Sequence, residues 1–102
     1  MLAPIILFAF SRPEHTRRTL EALAANALAD QSDLIVYADA ARSERDAEAV
    51  CVVRELIRAA FGFRSVTLIE RDVNFGLARN IIEGVSEVLC QHERIIVLED
   101  DM

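Results

Sequence analysis

The residues of this chain best suited to chemistry are three consecutive acids near its end, Glu99, Asp100 and Asp101. They directly follow the apolar segment Ile95 to Leu98, whose composition is typical of a buried strand. Three carboxylates at the end of a buried strand repel one another unless a cation or water neutralises them. Hard divalent cations such as Mg²⁺ bind carboxylate oxygens and take further ligands from water and phosphate. The pattern therefore indicates one half of a metal and phosphate site.

Other polar residues follow three further apolar segments. The four segments are Pro4 to Phe10, Leu34 to Ala38, Val66 to Ile69 and Ile95 to Leu98, and they start about 30 residues apart. Continuous apolar runs at this interval are typical of parallel strands that are covered on both faces. The first run leads into Arg12, the second into Asp39 and the third into the stretch from Glu70 to Asn74.

Helical periodicity fills the three intervals between these segments. Apolar residues recur every three or four positions within three stretches, which are Leu20 to Leu28, Val50 to Phe61 and Ala78 to Leu89. Ser11 and Ser43 have the spacing of a capping box, and Asn74 can cap the third helix. Gly62 stands where a glycine is expected just after the second helix. The sequence thus predicts the order βαβαβαβ.

This order predicts an open, mainly parallel, doubly wound α/β sheet with the strand order 3-2-1-4, built as a single domain over residues 1–102. The chain would reverse after its third strand, so the topological switch point lies between strands one and four. Ligands of open α/β sheets bind in the crevice at the carboxyl ends of the strands, at that switch point. We therefore expect the polar residues that follow the strands to converge on one crevice.

Composition narrows the classes of partner. The net charge is −6, from 17 acidic and 11 basic residues, which argues against nucleic acid as the main partner. The apolar N-terminal run is about half of the ~20 residues that a membrane span needs, so no span is expected. Cys51 and Cys90 fall inside predicted helices, which favours two small apolar side chains in a cytoplasmic, reducing compartment over a disulfide.

Each candidate residue also has a purely structural interpretation. Arg12 could form an ion pair with Glu14 or Asp39, and Asp39 could cap the turn that follows it. Arg79 and Asn80 could belong to a solvated helix face. The sequence contains no Gly-x-Gly-x-x-Gly after the first strand, no P-loop, no legible nucleophile–histidine pair and no zinc spacing.

Four motifs in this order resemble the nucleotide-sugar-binding half of GT-A glycosyltransferases, of the family 2 kind and the related N-acetylglucosaminyltransferase I type. The motifs are Phe10-Ser11-Arg12-Pro13, Asp39, Asn74-x-Gly76-x-x-Arg79-Asn80 and Val97-Leu98-Glu99-Asp100-Asp101. The resemblance covers the whole chain. It implies a truncated GT-A fold that binds a nucleotide-diphosphate sugar together with Mn²⁺ or Mg²⁺.

The resemblance also implies a role for each residue. Arg12 would contact the base and diphosphate, and Asp39 would bind the base. The helix start with Asn74 and Gly76, followed by Arg79 or Asn80, would lie against the nucleotide or the donor sugar. In the acidic motif, Glu99 would approach the ribose, Asp100 would support the site through water, and Asp101 would bind the metal ion.

The acceptor half of such enzymes and their catalytic base have no counterpart in these 102 residues, so we expect the chain to be inactive alone. The strand over 95–98 would then form an open apolar edge, and we expect either pairing of this edge with another copy or disorder of the last residues. Three alternative functions remain open. A nucleotidyltransferase would carry a Gly-rich loop after strand one, and a receiver-like module would carry its acids there. The third is a non-catalytic oligomerising α/β module with a vestigial acidic site.

Overall fold

The structure, a computed structural model, describes residues 3–26, 28–91 and 95–99, with the backbone alone for Leu98 and Glu99. Four strands alternate with three helices and one short 3₁₀ helix. The strands are β1 (Ile5–Ala9), β2 (Asp33–Ala38), β3 (Ser65–Glu70) and β4 (Ile96–Glu99). The helices are α1 (Pro13–Ala24), α2 (Glu44–Arg58) and α3 (Leu77–Leu89), and the 3₁₀ turn spans Ala29–Gln31.

The four strands form one parallel sheet in the order β3-β2-β1-β4, which confirms the predicted doubly wound α/β fold and its strand order. β1 lies between β2 and β4, and Phe8 of β1 is level with Tyr37 on one side and Glu99 on the other. The carboxyl ends of the three strands therefore reach the same edge of the sheet. The switch point falls between β1 and β4, as the topology predicts.

One face of the sheet is covered by α1 and α2. Leu7 and Val36 point from the strands into this layer, where they pack with Val53 and Ile57 of α2 and with Leu20 of α1. Leu7, Val36, Val53 and Ile57 are completely buried. Strand residues alternate between the two faces of a sheet. Every second residue of β1 and β2 therefore faces this layer and is apolar.

The other face is covered by α3. Ile6, Phe8 and Tyr37 form its buried layer with Val88. The rings of Phe8 and Tyr37 stack with their centroids 5.6 Å apart. Gly84 of α3 lies directly above them, and a Cβ atom at this position would come within 2.8 Å of Phe8 Cε1. The glycine therefore lets α3 approach the aromatic pair closely.

The helix starts agree only in part with the sequence signals. Ser43 caps α2 as predicted, since its side chain accepts a hydrogen bond from the Arg45 amide. The predicted caps of the other two helices are wrong: α1 is preceded by Arg12 rather than Ser11, and α3 by Gly76 rather than Asn74. Pro13 begins α1 without needing a capped amide, and the Asn74 side chain has other partners, described below.

The end of α2 also differs from the prediction. The helix ends at Arg58 with Ala59 as its C-cap, so Gly62 lies three residues beyond the cap and is not the residue next to it. Gly62 nevertheless adopts a left-handed backbone with φ of 96°, which favours glycine in the connection to β3. Cys51 and Cys90 are both free thiols, which agrees with the preference for two unpaired cysteines over a disulfide, and both are exposed.

β4 forms one edge of the described sheet. Ile96 is 50% exposed and its neighbour Val97 is 39% exposed. Consecutive strand residues point to opposite faces, so β4 exposes apolar side chains on both of its faces.

None of the helices within the described ranges is long and apolar enough to serve as a membrane span.

Candidate functional site

A cleft of about 280 Å³ lies at the carboxyl ends of β1 and β2, beside the start of α3. Five of the residues predicted from the sequence line this cleft: Arg12, Asp39, Asn74, Gly76 and Asn80. The rest of its wall is made by the end of β1 and the loop after it, by Arg42 and by Leu77. These residues converge because parallel strands bring the loops at their C-terminal ends to the same edge of the sheet.

Asp39 is the centre of this edge, and it is 4% exposed. Its Oδ1 accepts hydrogen bonds from the Ala40 amide at 2.9 Å and the Phe75 amide at 2.8 Å. Its Oδ2 accepts from the Gly76 amide at 3.0 Å and from Asn74 Nδ2 at 3.3 Å. The carboxylate thereby ties the loop after β2 to the loop between β3 and α3.

These contacts bear on the two interpretations of Asp39. The contact with the Ala40 amide is the turn-capping role that the structural interpretation predicts. A carboxylate has about four lone-pair sites, and in this structure four donors from the chain occupy them. A ligand N–H that bonded to Asp39 would have to replace one of these donors.

Asn74 and Gly76 shape the loop rather than cap the helix. Asn74 Nδ2 also donates to the Ala40 carbonyl at 2.8 Å, which explains why its side chain does not cap α3. Gly76 has a φ of 78°, a conformation that strains other residues. A Cβ atom at Gly76 would meet nothing within 4 Å, so its backbone conformation rather than crowding favours glycine here.

Two helix N-termini adjoin the cleft. Neither α1 nor α3 has a side-chain cap among the described residues, which leaves the amides of their first turns available to a ligand. The positive end of a helix dipole favours anions. Glu14, the one acid in the first turn of α1, forms ion pairs with Arg17 and Arg18.

Arg12 is exposed and forms no ion pair with any side chain that the structure describes, so the structural interpretation of Arg12 is not what the structure shows. Arg42 is a second cleft guanidinium, and the sequence interpretation missed it. Its guanidinium lies 5.3 Å from the centroid of the Phe10 ring and 3.4 Å from Asp46. Its position three residues after Asp39, in the loop that leaves β2, is the signal that could have identified it.

Asn80 and Arg79 have different environments. Asn80 is 2% exposed, so the alternative of a solvated helix face is wrong for this residue. Its Oδ1 accepts a hydrogen bond from Arg71 Nε at 3.0 Å. Arg79 is exposed, packs on the Phe75 ring and pairs with Glu83, and it does not line the cleft. Arg71 belongs to the polar stretch predicted to follow the third strand, but the sequence assigns it no role of its own.

Tyr37 lies next to this group. Burial, together with the hydrogen bond that its hydroxyl donates to Glu87 at 3.0 Å, raises the pKa of Tyr37 to about 12. The Arg71 guanidinium acts in the opposite direction because its charge favours the phenolate, but this effect is smaller. Tyr37 is therefore a neutral hydrogen-bond donor at physiological pH.

The predicted metal ligands follow β4. Asp100 and Asp101 lie outside the described residues, and Glu99 is described as backbone. Within the described ranges, no group of three or more His, Cys, Asp or Glu side chains could hold a metal ion. The register places the backbone of Glu99 beside Phe8, whose neighbours line the cleft. β4 thus ends next to the cleft, at the point where the sequence continues into the last two acids.

The fold and the cleft define this chain as an open parallel α/β domain with a cleft at the carboxyl ends of β1 and β2. No protein family, no curated protein and no solved structure matches the chain in comparisons with known proteins. The fold class thus stands on the structure alone, and the glycosyltransferase resemblance stays a prediction based on the motifs.

Proposed function

We propose that this chain is the donor-binding part of a metal-dependent glycosyltransferase that uses a nucleotide-diphosphate sugar. The observation that carries the proposal is the cleft at the carboxyl ends of β1 and β2, which gathers Arg12, Asp39, Asn74, Gly76 and Asn80 at one edge of the sheet. These are the positions at which the motifs of the resemblance fall.

The charge of the cleft supports an anionic ligand. Arg12 and Arg42 bring two guanidinium groups to its lining, while the carboxylate of Asp39 is occupied by four donors from the chain. The first turns of α1 and α3 add backbone amides. Guanidinium groups and helix N-termini together suit a diphosphate. The chain's own residues would thus hold and orient the diphosphate and restrict its approach to one direction.

The proposal includes Mn²⁺ or Mg²⁺. The carboxylates of Glu99, Asp100 and Asp101 are oxygen donors, which both of these cations accept. By the resemblance, Asp101 would hold the ion, Asp100 would act through water, and Glu99 would contact the ribose. A bound ion would supply Lewis-acid stabilisation of the departing nucleoside diphosphate. Transfer to an acceptor is expected only from a protein that also contains an acceptor domain and a catalytic base.

Nucleotide binding tests the proposal. Calorimetric titration with UDP and with GDP, each with Mn²⁺, is expected to show metal-dependent binding of one of them. Arg12→Ala removes an exposed guanidinium from the cleft and is expected to weaken that binding about tenfold, or ~1.4 kcal/mol. Arg45→Ala is the matched control, because Arg45 is an exposed arginine of α2 outside the cleft.

Two results would contradict the proposal. One is that neither nucleotide binds in the presence of Mn²⁺ at millimolar concentrations. The other is that Arg12→Ala and Arg45→Ala weaken binding equally, which would indicate attraction by overall positive charge rather than a site. Loss of binding on removal of Mn²⁺ with a chelator is the companion result expected for a metal-bridged diphosphate.

The exposed edge of β4 favours a second candidate function, a non-catalytic module that assembles through this edge. Ile96 and Val97 are both exposed, and strands of parallel sheets are normally covered on both faces. We propose that the occupant of this edge is a second copy of the chain. Two identical strand edges related by a two-fold axis can pair antiparallel, which closes the assembly as a dimer.

Light scattering after gel filtration tests this pairing. The chain is expected to form a dimer whose population rises with concentration. Val97→Lys places a charge on the edge and is expected to give a monomer. Thr67→Lys is the control, because Thr67 is exposed on β3 at the opposite edge of the sheet. A wild-type chain that stays monomeric at high concentration, or equal effects of both variants, would rule out the β4 edge.

A further inference from the structure

Arg71 is a nearly buried cation in contact with a residue of the cleft wall. It directly follows β3, and its side chain is 10% exposed. Its guanidinium lies between the rings of Tyr37 and Phe75, at 4.7 Å and 4.6 Å from their centroids. Its Nε donates to Asn80 Oδ1 at 3.0 Å. Arg71 itself does not line the cleft, whereas Asn80 does.

We propose that Arg71 is a positioning residue that fixes the side-chain amide of Asn80 so that its Nδ2 donates to an anionic or carbonyl oxygen in the cleft. A guanidinium has donors only, so the carbonyl oxygen of the amide must face Arg71. The Nδ2 group then points away from Arg71. Among the described residues it has no hydrogen-bond partner, and it is left for a ligand.

The surroundings of Arg71 explain why it can hold this position. Two aromatic faces restrict the plane of the guanidinium, and such stacking is worth more when the cation is desolvated. Nη1 lies 3.7 Å from Glu87, which also accepts the Tyr37 hydroxyl at 3.0 Å. Glu87 therefore supplies the negative charge nearest to Arg71. The two rings and Glu87 hold the Arg71 guanidinium in place. The guanidinium in turn holds the side-chain amide of Asn80.

The ligand in this inference is the one in the proposed function, and to that extent the inference rests on it. The orientation of the Asn80 side chain in the free chain does not depend on the proposed function. Asn80→Asp separates the two possible roles of Asn80. The aspartate keeps an oxygen acceptor for Arg71 and adds an opposite charge, so the fold is preserved. It also replaces the Nδ2 donor with an oxygen, which repels an anionic ligand.

The binding experiment uses the whole chain with UDP and GDP in the presence of Mn²⁺. Asn80→Asp is expected to keep its thermal stability and to lose at least tenfold in affinity. Arg71→Met and Asn80→Ala are each expected to weaken binding about tenfold, and the double variant no more than Asn80→Ala alone, because Arg71 acts through Asn80. Full affinity in Asn80→Asp, or multiplied losses in the double variant, would overturn the inference.

A measurement without ligand keeps the inference independent of the proposed function. In a ¹⁵N spectrum of the free chain, the Asn80 side-chain amide is expected to give two sharp, separate proton signals. Arg71→Met is expected to move and broaden both signals, while Arg71→Lys, which keeps the charge, is expected to do so less. If the wild-type chain binds no nucleotide, the proposed function fails. If Asn80 signals do not respond to Arg71→Met, the positioning role fails.

Discussion

Asp39→Ala is expected to lower the free energy of unfolding by about 2–4 kcal/mol, because hydrogen bonds to a charged group contribute about 1.5–3 kcal/mol each and water will replace part of them. The variant removes the acceptor of four donors at once. Two of these donors are the amides of Phe75 and Gly76, which precede α3. The loop between β3 and α3 then loses its hydrogen bonds to Asp39 and keeps the bond from Asn74 Nδ2 to the Ala40 carbonyl and the bond from the Arg71 amide to the Ala38 carbonyl. Urea unfolding followed by circular dichroism measures this change.

Asp39→Asn sharpens the prediction. Each oxygen of the carboxylate faces two donors, so either orientation of an amide brings its NH₂ group against two N–H groups. We therefore expect Asp39→Asn to cost nearly as much as Asp39→Ala. Asp72→Ala is the control, since Asp72 is an exposed aspartate in the same loop. If Asp39→Ala costs no more than Asp72→Ala, the described hydrogen bonds do not stabilise the loop.

The strand order was predictable because its determinants are local and regular. Apolar segments at intervals of about 30 residues leave few alternatives to βα units, and right-handed crossovers reduce the choices further. The segment Leu34 to Ala38 reads as a strand covered on both faces, and Val36 and Tyr37 are indeed buried on opposite faces. The same rule places Arg12 and Asp39 at one edge without knowledge of any contact.

What could not be predicted depends on partners that are distant in the chain. The Phe75 amide lies 36 residues from Asp39, and the helix signal at Asn74 gave no hint that its side chain bonds to the loop after β2. Asn74 is a good capping residue locally, but a buried carboxylate is the stronger partner. A local signal predicts a cap correctly only where no tertiary partner competes, as at Ser43.

Arg42 and Arg71 were missed for a related reason. An arginine in a loop is usually solvated, and neither residue lies in a recognisable motif. Arg42 is identified by the cleft that forms around it, and Arg71 by the two rings on either side of it. The Phe75 ring comes from the same loop as Arg71, whereas the Tyr37 ring comes from β2, which the topology places beside β3. Asp39 could thus be predicted from its place at the end of a strand, whereas the roles of Arg42 and Arg71 depend on contacts that no motif marks.

These two sets of residues give the cleft separate tasks. Asp39 and Arg71 hold backbone and side chains in place, whereas Arg12, Arg42 and the amide of Asn80 would present donors to the proposed ligand. In this proposal the Asn80 amide is held in place before any ligand arrives, and such preorganisation lowers the entropic cost of binding. This division makes the proposed diphosphate site testable by variants that change donors without changing the fold.

Gly84→Ala is expected to lower the free energy of unfolding by about 1–3 kcal/mol, although alanine is the better helix former by up to ~1 kcal/mol. The added Cβ would lie 2.8 Å from Phe8 Cε1, 3.0 Å from Phe8 Cζ and 3.1 Å from Tyr37 Cδ2. The two rings are stacked and buried, so neither can move away without disturbing the other. The sign of the change is the informative result, and thermal or urea unfolding measures it.

The cause of that loss can be isolated by two further comparisons. At the exposed position of Ser86 in the same helix, Ser86→Ala is expected to be more stable than Ser86→Gly, which is the opposite order from position 84. In a Phe8→Leu background, the two nearest ring atoms are gone, so Gly84→Ala is expected to cost clearly less than in the wild type. Equal costs in both backgrounds would show that α3 does not approach β1 as closely as the contact at Gly84 requires.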